Sequence, residues 1–175
     1  MNKDNNNQIA VIEEEKYLNM QPMQVSRELR KVKTKEDVME LVKSRSVPSI
    51  AKLKKQSSEN KIIAYISMWL IDLNVSLNIK NPMSEFQIEE CAYFILDDYY
   101  YLTIADFKLF FTNIKKGKYG KLYEAISTPK IMDFLHEYTV ERTRMFEFAE
   151  TQGTKQLRKR ENESIQDLRI KMLKK

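Results

Sequence analysis

The chain has 175 residues, 42% of them hydrophobic, with 30 Lys and Arg against 25 Asp and Glu for a net charge of +5. That length and apolar content support one folded domain with a sizeable core and exclude wholesale disorder. A single cysteine, Cys91, excludes an intramolecular disulfide, and three glycines and four prolines are too few for a protein of many hairpins.

Residues 1–20 are Asn-rich and then acidic, and read as a mobile leader with no apolar stretch long enough for a signal peptide. Pro22 suits a first helical turn, and residues 23–32 form a short, strongly charged helix. Thr34, with Asp37 three residues on, resembles a capping box and opens a second short helix ending near Ser44. Pro48 opens a third, through Leu53. These pieces, residues 21–57, are thin in apolar side chains and are expected to pack late or only on a partner.

Ser58 begins the first strong core element, in which Ile62, Ile66, Trp69, Leu70, Leu73 and Leu77 keep the helical period. Asp72 and Asn74 break this apolar region, which excludes a membrane span. Ser84 with Gln87 makes a second capping box, followed by a stripe of Ile88, Cys91, Ala92, Ile95 and Tyr99. Thr103 with Asp106 opens a helix carrying Ile104, Phe107, Phe110, Phe111 and Ile114, and Gly117 ends it. After a short helical turn at 122–126, Pro129 opens the longest helix, with Ile131, Phe134, Leu135, Tyr138, Arg142, Met145 and Ala149 on one face. Gly153 is its expected soft point. The remainder has only a sparse stripe at Leu157, Ile165, Leu168 and Met172, and reads as a solvated helix or a partner-docking tail. The fold class is therefore all-α: a compact bundle of amphipathic helices with a core domain at 58–152, a long C-terminal helix and a charged tail at 153–175.

Catalytic groups are scarce. His136, the one histidine, sits off the main helical stripe, and a triad would need a nucleophile and an acid brought to it. One Cys and one His do not make a zinc site. Glu85, Glu89, Glu90, Asp97 and Asp98 would serve a magnesium nuclease only with Asp106 or Asp133 alongside, and such acidic faces are more commonly just solvated. Neither GxxxxGKS nor GxGxxG is present. The expectation is a non-enzymatic protein with no cofactor.

Binding is better supplied, because charge is segregated. Residues 61–107 hold two Lys against seven acids, residues 108–121 hold five Lys and no acid, and residues 141–175 hold ten bases against six acids. The loop at 115–121 places Lys115, Lys116, Lys118 and Lys121 around Tyr119, with Gly117 and Gly120 as pivots. Lysines for phosphates and a ring for base stacking are what a single- or double-stranded DNA contact requires. Arg142, Arg158 and Arg160 would extend that surface along the last helix. The plainer alternative is a solubilising turn with Tyr119 packed beneath it. The tyrosines of the run at 97–102 point in different directions, so at most two belong to a core and the rest suit a partner surface.

The run YFILDDYYYLTIADFKLFFTNIKKGKYGKLYEAISTPKIMDFLHEYTVERTRMFE, residues 93–147, resembles a group of small helical proteins of Bacteroidetes and of their phages and mobile elements. The shared features are an acidic-aromatic helix end, an Asp-Phe helix, a Lys-Tyr-Gly loop and a long helix ending in Glu-Arg. The arrangement is also loosely similar to helicase loaders and replisome organisers of phages and plasmids. The resemblance implies no established activity and carries over no catalytic residue. The segregated charge and the loop chemistry, beside this likeness of architecture, set the expectation of a small cytoplasmic adaptor in replication or maintenance of a mobile element, docking a protein through its terminal helices. The alternative reading is a protein-binding or structural component without nucleic-acid contact.

Overall fold

The computed structural model of the protein describes residues 16–120 and 125–173. They form a 3₁₀ turn, Lys16–Asn19, and helices α1 (Pro22–Glu28), α2 (Lys35–Lys43), α3 (Ile50–Gln56), α4 (Glu59–Leu77), α5 (Glu85–Asp98), α6 (Ile104–Lys115) and α7 (Thr128–Leu173). Among the described residues there is no strand, only isolated bridges at Ser49–Thr103 and Asn81–Ala125.

Hydroxyl caps set most helix starts. Thr34, Ser49, Ser58, Ser84 and Thr103 each accept a hydrogen bond from the backbone amide three residues on, at 3.2–3.4 Å. Each satisfies one donor that the first helical turn leaves open. In α2, α5 and α6 the residue three on (Asp37, Gln87 or Asp106) accepts in return from the cap's own amide, closing the capping boxes read from the sequence. The third helix starts at Ile50, with Ser49 as its cap, two residues later than Pro48 suggests. Asn78, at φ 47, closes α4 in the left-handed region, and Gly117, at φ 75, follows the cap of α6.

The core centres on α4, α5 and α6. Trp69 stacks on Phe111 with ring centroids 5.3 Å apart, and Phe111 meets Phe107 and Phe110 at 6.1 and 5.1 Å. Ile62, Ile66, Leu70 and Leu73 of α4, with Cys91, Ala92 and Ile95 of α5, are buried around them. The N-terminal pieces belong to this core as well. Val25, Val32, Val38, Ile50 and Leu53 are buried, as are Tyr17 and Leu18 of the 3₁₀ turn. The start of α3 is also tied by backbone: Ile50 donates to Leu102 (2.9 Å), Ala51 to Tyr100 (2.7 Å), and Ile104 returns a bond to Pro48 (3.1 Å). Residues 21–57 are thus integral to the bundle, not a separate layer awaiting a partner. Residues 16–20, assigned to a mobile leader by the sequence, are packed in place.

The chain divides after Tyr138. The first unit runs to Tyr138 and the second from Thr139 to the C-terminus. Helix α7 runs unbroken through Gly153. Within the second unit, the Arg142 guanidinium lies 4.4 Å from the Phe146 ring centroid, a cation–π contact one turn along the helix. Phe148 and Leu157 are exposed there.

Two buried polar groups of α6 fasten the first unit. The Asp106 carboxylate accepts from the Thr103 amide and hydroxyl, both at 2.8 Å, and from the Tyr138 hydroxyl at 2.8 Å. A buried carboxylate is tolerable only when its lone pairs are met in this way. Lys108, also buried, donates from its ammonium to the backbone carbonyl of Val32 in the turn between α1 and α2. Helix α1 stops at Glu28, with Leu29 as its C-cap, and does not continue to residue 32.

Candidate functional site

The lysine loop is only partly available to a ligand. Gly117 and Gly120, at φ 75 and 103, adopt backbone conformations that side chains with a Cβ rarely reach, and they turn Tyr119 inward. Its ring stacks on Phe134 at 5.3 Å and meets Phe110 at 5.9 Å. Tyr119 is therefore a core residue, and the stacking platform expected from the sequence is already occupied by the protein's own rings. Lys115 pairs with Asp72 of α4. Lys116 and Lys118 are exposed, with the Lys118 ammonium 5.9 Å from the Tyr119 centroid. Of the helical turn expected at 122–126, residues 122–124 lie outside the described residues, as does Lys121, while Ala125 and Ile126 are not helical.

Lys116 has other company. The ammonium of Lys108 is pushed below its ordinary value, first by burial and then by the positive charges of Lys116 and Lys33, with Asp37 acting in the opposite direction. Lys108, in the middle of α6, thus lies within the fields of a cation of the α1–α2 turn and of one at the end of its own helix. Beside them opens a cleft of about 550 Å³ lined by Arg30, Lys31, Lys33, Thr34 and Asp37. Asp37 is committed to the cap: it accepts from the amides of Lys33 (2.7 Å) and Thr34 (2.9 Å), which hold its carboxyl below the usual range. Among the described residues no carboxylate pairs with the side chains of Arg30, Lys31, Lys33 or Lys116. Of these, only Lys116 was among the residues singled out from the sequence. The signal for the rest was present in the run RELRKVKTK at 27–35, with five bases and one acid.

Arg142, Arg158 and Arg160 all lie on the second unit. Eighteen residues separate Arg142 from Arg160, five helical turns, so those two share a stripe, while Arg158 lies well around the helix. The three do not make one contact face.

Other candidate chemistry resolves into structure. His136 is exposed on α7, and Asp106 is held by three hydrogen bonds. Among the described residues no three of His, Cys, Asp and Glu are grouped to hold a metal ion. Burial pushes the Cys91 thiol up to about 12, with Glu90 adding to the shift, so it is not a reactive thiolate at neutral pH. No described helix is long and apolar enough to cross a membrane. Comparison with protein-family models, curated proteins and solved structures finds no match.

Proposed function

We propose that the chain is a non-enzymatic, DNA-associated adaptor serving replication or maintenance of a phage or mobile element, and that it grips backbone phosphate through Arg30, Lys31, Lys33 and Lys116. The observation that carries this reading is the cationic cleft of the α1–α2 turn, anchored on Lys108 of α6, whose one lining carboxylate is already committed to a cap; Lys116 adds its charge from the end of that helix. Phosphate is the ligand such a surface suits: the lysines supply point charges, and Arg30 supplies a planar fork. Tyr119 and Lys115 have no part in it. Exposed Phe148 and Leu157 on the terminal helix support the adaptor half of the reading, as apolar side chains available to a protein partner.

Fluorescence anisotropy with labelled single- and double-stranded oligonucleotides over a salt series tests the DNA half. Four neutralised phosphates give a slope of log K against log salt of about −2.8 on single strands and about −3.6 on duplex. Reversing Lys33 and Lys116 together to Glu should abolish binding while leaving the helical circular dichroism intact. Salt-independent binding, or full affinity in the reversed variant, overturns the reading.

A further inference from the structure

Helices α4 and α5 enclose between them a groove of about 830 Å³ that the DNA-associated reading leaves unused. Its walls are mainly apolar, with Asn60, Ser67 and Asn78 between the larger side chains: Ile63 and Ile88 are buried, while Ile71 and Val75 of α4 stand 49% and 76% exposed. Tyr93 lines the α5 side, and Phe86, one heptad away and so on the same side of that helix, is 74% exposed. Side chains of this size, exposed together along two packed helices, form a patch that soluble domains seldom leave uncovered. The base is fixed. The Asn74 amide donates to the Met83 carbonyl at 2.9 Å and accepts from the Met83 amide at 3.2 Å, holding the α4–α5 connection as the closed end of the trough.

Among the described residues, the charges lining the groove are of one sign: Glu85 and Glu89 are its acids, and no Lys, Arg or His lines it. Glu90 and Asp97 lie next to the Phe86–Tyr93 stripe on α5. A second copy using the same face would bring Glu85 and Glu89 against their own counterparts. An anionic lipid surface would meet the same repulsion. We infer that this groove docks an amphipathic helix of a partner protein, apolar residues at three- and four-residue spacing along its inner face and Lys or Arg along the edge that meets Glu85 and Glu89. A helix laid in a trough between two helices uses this combination of anchoring side chains and flanking charge. The inference is independent of the cationic surface described above, which involves none of these residues.

The test uses the full chain and two synthetic 18-residue helical peptides with the same Leu/Ile stripe, one flanked by lysines and one by glutamates. Titration calorimetry should show saturable 1:1 binding of the lysine-flanked peptide and at least tenfold weaker binding of the other. Ile71→Asp together with Val75→Asp, both at exposed positions, should abolish binding without changing the circular dichroism. Glu85→Lys with Glu89→Lys should invert the preference toward the glutamate-flanked peptide. Equal binding of both peptides, or no binding of either, overturns the proposal. So does sedimentation showing a dimer that Ile71→Asp dissociates, since a second copy would then be the occupant.

Discussion

The turn at 29–34 and the loop at 115–120 carry much the same chemistry, lysines on a short connection, yet the fold treats them in opposite ways. In the loop, two left-handed glycines turn the aromatic ring into the core and one lysine is taken by Asp72. In the turn there is no ring to bury. Its backbone is held from below by the Lys108 ammonium and from the side by Asp37, so Arg30, Lys31 and Lys33 are left facing outward. A segment rich in cations and aromatics advertises itself in sequence because it mixes anchoring and exposed groups. The turn, in which only Leu29 and Val32 are apolar and both are buried, takes its polar anchors from elsewhere in the chain.

That contrast breaks most visibly at the two anchors. Tyr119→Ala should destabilise the protein by about 3–5 kcal/mol, as expected for deleting a buried aromatic ring, and urea denaturation measures it. The folded fraction should keep its full DNA affinity; a stable variant with lost affinity would return Tyr119 to the binding surface. Lys108→Met keeps most of the buried stem but strands the Val32 carbonyl, at a cost of about 1–3 kcal/mol. Relief of repulsion from Lys33 and Lys116 works against this cost. A net gain in stability would show that the turn needs no anchor.

Asp37→Asn should cost about 1 kcal/mol at neutral pH, in the range of a lost cap. The native carboxyl titrates below its ordinary value of 3.8 because the Lys33 and Thr34 amides favour the charged form. Its contribution is therefore complete above that value and disappears as pH falls through the lower, folded-state value. Acid unfolding followed by circular dichroism should lose this part of its slope in the Asn variant. The smallest effect is expected at Lys115→Ala, which removes a half-exposed ion pair worth less than about 1 kcal/mol. Its DNA affinity should match the parent, whereas Lys116→Ala should weaken binding severalfold.

The helical architecture was legible because its signals are local. The Thr34–Asp37, Ser84–Gln87 and Thr103–Asp106 pairs announce helix starts within four residues, and the stripes through Trp69 and Phe110 repeat with the helical period. What escaped depends on residues far apart in the chain. Lys108 looks like any helical lysine until the Val32 carbonyl, 76 residues earlier, is brought to it. Tyr17 and Leu18 are too few to form a pattern, and it is their burial against α4 that fastens the 3₁₀ turn to the core. The same limit applied to the site. Lys115, Lys116 and Lys118 are equivalent in sequence, and only the positions of Asp72, Lys33 and Phe134 distinguish what surrounds them.

The Asp106 carboxylate has a further consequence, for how the molecule opens. One oxygen secures the cap of α6 and the other holds Tyr138 on α7, so neither contact can be lost without exposing the charge that both share. The first turn of α6 and the Tyr138 segment should therefore exchange their amide protons in the same slow event, with closely similar opening free energies despite the 32 residues between them. Fraying from either side alone would leave a buried carboxylate half satisfied, so the first turn of α6 and the Tyr138 turn of α7 should each resist opening singly.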